Sequence, residues 1–316
     1  MNPVKNQKKQ KRESLNPRIS NGVKKNFWIF KKNQWFFEEE VPYDESEIVI
    51  GIKVKRRLYS GKSPYQKIEF FDTFGFGRLL VLDGILQTSE KDEFIYHEML
   101  CQVPMFYHPN PQKVLIVGGG DGGALEEVLK HPVKKVWVVE IDEKVIQCCK
   151  KYLPSISKKA FEDKRVEIII GDGKKFVKRY KDFFDLIILD LSDPLGPAKD
   201  LISLKFYKDV KRALKERGVV SIQNGSLTCQ PKLVAIIHKR TRKIFPYVKI
   251  HRAVIPSYQA GEYSFTVASK LNLNYSLAAK KKLEKRFKKL NLNLRYWSPE
   301  IHFSSAILPK YLEEKI

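Results

Sequence analysis

Cysteine is scarce in this chain and poorly placed for a metal or disulfide framework. Among 316 residues there are four, Cys101, Cys148, Cys149 and Cys229, and no two form a C-x-x-C pair. Such spacing excludes a zinc module or a stapled secreted scaffold and suits small buried thiols in a reducing cytoplasm. Long hydrophobic runs are also missing. No stretch approaches the ~20 apolar residues that span a bilayer, so no membrane association is expected. The basic N-terminus offers only FWIF (27–30), followed by two lysines, where a secretory signal needs a continuous apolar core. No internal repeat is present.

Acidic residues are outnumbered, 36 against 59 Lys and Arg, for a net charge of +23. The excess sits at the ends. Residues 1–37 hold ten basic residues against one acid, and residues 270–316 hold eleven against four. Only +7 remains for the 232 residues between them. That distribution argues against a dedicated nucleic-acid partner, for which the central fold would itself have to be basic. It reads instead as a disordered basic extension and a solvated helix face, AAKKKLEKRFKKL (278–290).

What the chain does have is 43% hydrophobic and 12% aromatic residues, enough for a sizeable core. Three regions are expected: a flexible extension (1–32), a small β domain (33–90) and a larger catalytic domain (91–316). In the second, IVIGIKVK (48–55), QKIEFFD (66–72) and RLLVLDGILQ (78–87) read as antiparallel strands, with Gly75 and Gly77 in a tight reversal. DEFIYHEMLCQVPMF (92–106) has helical spacing. Seven strands are then predicted at 113–118, 135–142, 166–172, 184–190, 218–224, 248–256 and 263–270. Helical patterns separate the first six. Continuous Val/Ile/Leu runs indicate strands covered on both faces, hence a mainly parallel, doubly wound α/β sheet. The last two strands are joined by a short loop and should be antiparallel.

Ligands of such sheets collect at the carboxyl ends of the strands. There the sequence places Asp121, Glu140 with Asp142, Asp172 with Gly173, Asp190 with Asp193, then Gln223 and Tyr258. Gly118, Gly120 and Gly123 satisfy G-x-G-x-x-G, and Glu140 lies 20 residues beyond Gly120, where a carboxylate holds ribose hydroxyls. Asp121 opposes a pyrophosphate, because like charges at ~4 Å cost ~4 kcal/mol at an effective dielectric of about 20. A nicotinamide-dependent dehydrogenase is therefore disfavoured. The fitting ligand is a nucleoside with positive charge in place of phosphate, such as the sulfonium of S-adenosylmethionine or its decarboxylated form. Asp121 and Asp172 could each also serve simply as helix caps.

LDLSDPLGPAKDL (189–201) carries two carboxylates on a loop over this acidic crevice. That suits a polyamine, whose amines have pKa values near 10.4 and must lose a proton before they can attack. A positioned carboxylate can take that proton while a second holds the other ammonium.

The motifs SPYQKI (63–68), LVLDGILQTSEKDEFIYHEML (80–100), VLIVGGGDGG (114–123), VVEID (138–142), GDG (171–173), LDLSDPLGPA (189–198), IPSY (255–258) and IHFSSAILP (301–309) resemble the polyamine aminopropyltransferase family, its spermidine synthases most of all. The similarity spans roughly residues 50–313. It implies a class I methyltransferase-like Rossmann fold with a small N-terminal antiparallel β domain. It also implies transfer of an aminopropyl group from decarboxylated S-adenosylmethionine, a co-substrate, to an amine, with no further cofactor and no metal. Carried over residue by residue, Asp190 is the proton acceptor and Asp193 holds the acceptor amine. Gln66, Glu140, Asp172, Gly173 and Pro197 hold the nucleoside. Tyr96, His97, Asp121, Gln223 and Tyr258 face the amine or polyamine. A homodimer or homotetramer follows from the same analogy. Taken alone, His97 on its amphipathic helix, Tyr96 and Tyr258 would read as structure.

Two departures fall on the acceptor side. Many members carry Gln-Gly-Glu where this chain has QNGS (223–226), and Tyr-Pro-Ser-Gly where it has YQAG (258–261). Putrescine is the expected acceptor, with agmatine, cadaverine or a longer polyamine as alternatives and an S-adenosylmethionine-dependent methyltransferase more distant.

Overall fold

The computed structural model describes residues 34–39, 41–192, 200–259, 262–274 and 276–314. The basic extension, Asp193 and Pro197 lie outside the described residues. Two sheets organise the rest. The first is an antiparallel meander in sequence order: β1 (Trp35–Phe37), β2 (Gly51–Lys62), β3 (Lys67–Thr73), β4 (Arg78–Leu82) and β5 (Ile85–Ser89). The run 78–87, expected as one strand, is folded into two at Asp83–Gly84. Leu82 pairs with Ile85, and both turn residues have positive φ, +49° and +84°. This is the two-residue geometry that Asp-Gly favours because its twist matches the flanking strands.

The second sheet holds β6 (Lys113–Gly118), β7 (Lys135–Glu140), β8 (Val166–Ile170), β9 (Phe184–Asp190), β10 (Leu214–Ser226), β11 (Tyr247–Val254) and β12 (Glu262–Ser269). Their order is β11-β12-β10-β9-β6-β7-β8, with β12 antiparallel to both its neighbours and the other pairs parallel. The mainly parallel sheet and the antiparallel final pair are as the sequence predicts. The unbroken apolar strands have the expected cause: successive side chains enter different cores. Val114 and Ile116 face the helices Glu93–Tyr107 and Gly123–Leu129, while Leu115 and Val117 face Gly173–Val177, Leu204–Ala213 and Pro231–Ile244.

The first sheet packs on the edge of the second body through Ile68, Phe70 and Leu80 against Val145, Cys148, Cys149 and Ile156. All four cysteines are buried, and none of them is in a disulfide. The helix Leu277–Leu290, expected to be merely solvated, contributes to the core. Leu283 is buried, Phe287 lies edge-on to Trp297, and Arg286 sits over Phe106 while donating to the His108 carbonyl at 2.6 Å. Its lysines cover the opposite face, and the mixture of long cationic stems with single aromatics hides this anchoring in the text. Among the described residues no helix is long and apolar enough to cross a membrane.

Glu98 fastens that C-terminal segment. Its buried carboxylate accepts the backbone N–H groups of Arg295, Tyr296 and Trp297 at 2.8, 2.8 and 2.7 Å. Each such donor left unpaired in the interior costs about 1–3 kcal/mol. Glu98→Ala should therefore lower unfolding free energy by about 3 kcal/mol or more in urea titrations. A midpoint within error of the parent would show that this clamp carries no stability.

Candidate active site

A cavity of about 520 Å³ opens at the carboxyl edge of the parallel strands. Gln66, Tyr96, Asp121, Glu140, Asp172, Gly173, Asp190, Gln223 and Tyr258, nine of the residues singled out in the sequence, all line it. The seven-stranded topology gathers Asp121, Glu140, Asp172, Gly173, Asp190 and Gln223, because β6, β7, β8, β9 and β10 run parallel and their loops leave on one side. Gln66, Tyr96 and Tyr258 come from the first sheet, the helix Glu93–Tyr107 and the turn after β11.

The glycine loop after β6 shapes the floor. Gly118 has φ +83°, and a Cβ there would collide with the Asp190 carbonyl. At Gly123 it would collide with the His97 imidazole. Asp121 lies inside this loop and its Oδ1 accepts the Gly123 N–H at 2.9 Å. The carboxylate thus occupies the helix N-terminus at which a phosphate would bind, beyond the Coulomb repulsion inferred from sequence. Its capping and site-facing readings coexist.

His97 does not line the cavity. It is buried behind Asp121, with Nε2 3.4 Å from Asp121 Oδ2 and Nδ1 2.7 Å from Glu93 Oε2. Burial works against its charge, but the two carboxylates overcome that and hold its pKa well above the ordinary 6.5. The imidazolium in turn outweighs desolvation at Asp121 and keeps that carboxyl below its usual range. The result is a Glu93–His97–Asp121 line with a protonated imidazole between two carboxyl side chains.

Asp190 ends β9 beside the glycine loop, which it ties down through its carbonyl and the Gly119 N–H at 3.0 Å. Its Oδ1 accepts the Tyr96 hydroxyl at 2.6 Å. Desolvation, then the charge of Asp121, push its pKa from 3.8 up to about 6, against the opposing pull of His97 and the Tyr96 hydrogen bond. Glu140 ends β7 and is raised from 4.5 to about 7, chiefly by burial, although the Asp142 N–H reaches its Oε1 at 2.9 Å. The His97, Asp121 and Asp190 ligand atoms lie within 4.8 Å of one another, but His97 is already engaged by two carboxylates.

Asp142, expected at the crevice, serves elsewhere. It caps the helix Glu143–Tyr152 through the Lys144 N–H (3.1 Å) and accepts from Ser63 Oγ (2.6 Å) and Gln66 Nε2 (3.0 Å). One buried acid therefore fixes the small sheet to the helix that follows β7. Asp172 likewise caps the helix Gly173–Val177 through Lys174 N–H at 2.8 Å while lining the cavity.

The opposite side is aromatic. Tyr96, Tyr258 and Tyr263 have ring centroids 5.0–6.1 Å apart. The Tyr258 hydroxyl donates to the Gln87 carbonyl at 2.5 Å, and that of Tyr263 to Gln223 Oε1 at 2.5 Å. Gln223 Nε2 donates to the Leu191 carbonyl at 2.6 Å. Tyr263, Glu38, Gln230 and Gln259 also line the cavity and were missed. For Tyr263 a signal existed, since an antiparallel β12 begins at the ligand edge where its parallel neighbours end. Glu262, which opens β12 beside Tyr263, pairs with Arg252.

Comparison with known proteins agrees with this geometry. Residues 93–277 match the family model of the spermine/spermidine synthase domain, and residues 34–90 that of the spermidine synthase tetramerisation domain. The chain is 45% identical over 275 residues to a polyamine aminopropyltransferase of Thermoanaerobacter sp. (strain X514), covering 85% of this chain and 95% of that protein. It is 42% identical over 272 residues to one from Clostridium tetani, covering 86% and 94%. A spermidine synthase in complex with the transition state analogue AdoDATO superposes with a TM-score of 0.84 at 38% identity, over 90% of this chain and 95% of that one. The spermidine synthase of Thermotoga maritima gives 0.81 at 38%, over 90% and 94%. With family models matching residues 34–90 and 93–277 and relatives 42–45% identical over most of its length, the chain belongs to the polyamine aminopropyltransferases, transferases of polyamine biosynthesis.

Proposed function

We propose that the chain is a spermidine synthase, transferring the aminopropyl group of decarboxylated S-adenosylmethionine to putrescine, without a metal or cofactor of its own. The observation that carries this reading is Asp190: a carboxylate with one oxygen fixed by Tyr96 and a pKa lifted to about 6, beside a second, ionised acid. Such a group is a base matched to neutral pH.

In this reading the nucleoside lies toward Gln66, Glu140, Asp172 and Gly173. Ribose hydroxyls donate to Glu140, which ionises as it gains them. The sulfonium and aminopropyl ammonium lie toward Asp121. One putrescine ammonium gives a proton to Asp190, and its freed lone pair attacks the carbon bonded to sulfur. The new C–N bond forms as the C–S bond breaks, and the bonding pair stays on sulfur in neutral methylthioadenosine. The product leaves as a secondary ammonium. Tyr96, Tyr258 and Tyr263 flank the methylenes, while Asp193 holds the second ammonium on the sequence pattern alone. We also assign self-association to the 34–90 sheet, from its match to a tetramerisation domain.

Incubation with decarboxylated S-adenosylmethionine and a panel of amines should release methylthioadenosine, most efficiently with putrescine. No release with any amine would refute the reading. In calorimetry the decarboxylated donor should bind at least about tenfold more tightly than S-adenosylmethionine, whose carboxylate would face Asp121. Equal affinities would remove that role from Asp121.

Asp190→Asn should retain donor binding and lose about 10²–10⁴ in turnover. It should also be more stable than the parent at pH 7.5. A carboxyl whose folded pKa is about 6 rather than 3.8 binds its proton more tightly when folded, so stability falls as pH rises through that window. Above about pH 6 the cost is fully present, on the order of 2–3 kcal/mol. Denaturation midpoints of parent and variant should converge below pH 4; a constant gap across pH would show that Asp190 is not strained in the free enzyme.

A further inference from the structure

At the opposite side of the cavity from Glu140 lies a wall whose residues the reaction does not need. β10 is three strands from β7 in the sheet, so the ends of these strands are roughly 14 Å apart. Gln230, which lines the cavity and is buried, follows β10. Its Oε1 accepts the Ser226 N–H at 3.0 Å, and its Nε2 donates to the Pro42 carbonyl at 2.7 Å. The side chain therefore joins the end of β10 to a segment that arrives from the N-terminal sheet. The Glu45 N–H bonds the Cys229 carbonyl at 2.8 Å beside it, holding the same segment in place.

Gly225 shows how closely this wall is fitted. Its φ is +97°, and a Cβ there would run into Gln230 Oε1. The chain therefore has no side chain at 225, and a neutral carboxamide fills the space, with both its polar ends engaged. At this point the wall is a neutral side chain held at both ends, and such a side chain sets a distance.

We propose that Gln230 is a positioning residue that fixes the length of the acceptor amine, by bridging Ser226 and Pro42 across the end of the cavity. The inference rests on the aminopropyl-transfer reading and adds the acceptor's dimension to it. Without the bridge, the wall loses its side chain and the segment through Pro42 its tie, so longer α,ω-diamines gain room while the Asp190 chemistry is untouched.

The test measures kcat/KM for α,ω-diamines of three to eight carbons with decarboxylated S-adenosylmethionine, in the parent, Gln230→Ala and Gln230→Met. The parent should peak at one carbon count. Gln230→Ala should raise kcat/KM for a diamine two carbons longer about tenfold relative to that optimum, through KM, with kcat on the optimal diamine within about threefold. Gln230→Met keeps the volume and lacks both hydrogen bonds; it should fold as the parent does and shift the profile the same way. Length profiles unchanged in both variants would overturn the proposal, as would a loss confined to donor KM. A parent that binds the donor but turns over no amine would overturn the functional reading itself, and this inference with it.

Discussion

Carboxylates gathered at one edge of a sheet repel one another, and the site is organised around the relief of that repulsion. Each acid is settled differently. Asp121 keeps its charge because His97, itself held by Glu93, stands behind it and the Gly123 N–H faces its other oxygen. Asp190 has only the Tyr96 hydroxyl and lies close enough to feel Asp121, so its ionisation is displaced to about pH 6. Glu140 is displaced further, to about 7, mainly by burial. The free enzyme therefore holds more proton affinity at Asp190 and Glu140 than ordinary acids would. A cationic ligand lowers all three pKa values at once, and the energy it releases is available for binding.

The same repulsion explains why the glycine loop is compatible with a sulfonium and poorly suited to a phosphate. In a dinucleotide site the helix N-terminus and its N–H groups are left open for an anion. Here Asp121 fills that position from within the loop, and Gly123 must lack a side chain because the imidazole that supports Asp121 passes where a Cβ would be. The third glycine of the fingerprint thus answers to His97.

Much of this was legible because the strands are buried on both faces. The apolar runs at 113–118 and 184–190 match β6 and β9 to the residue, since both ends of such a strand are marked by the change to polar text. Elsewhere local signals were ambiguous. Asp83–Gly84 interrupts an apolar run by only two residues, so one strand was expected where a hairpin forms. Asp142 shares its strand end with Glu140, and only the contact with Ser63 and Gln66, far away in the chain, shows which of the two acids faces the cavity. His97 could be chosen from the sequence, but its position behind Asp121 depends on the packing of one helix against another. Gln230 and Glu38 carry no local signal at all.

That last contrast follows from how the two sides of the cavity are built. The side proposed for the nucleoside comes from successive β-α turns of one sheet, where each acid is placed by the strand before it. The side proposed for the amine draws on the N-terminal segment, the end of β10, the turn at Tyr258 and the start of β12. Buried Asp92 accepts from Ser89 (2.5 Å) and from the Ser257 N–H and hydroxyl (2.7 and 2.9 Å), joining two of these pieces. A wall assembled from distant segments can change in one piece while the carboxylates and glycine loop stay fixed. Of the two departures QNGS and YQAG, Gln223, Ser226, Tyr258 and Gln259 line the cavity. On the proposed reading, chemistry and acceptor choice are separable in this fold because one is set by strand ends and the other by contacts between segments.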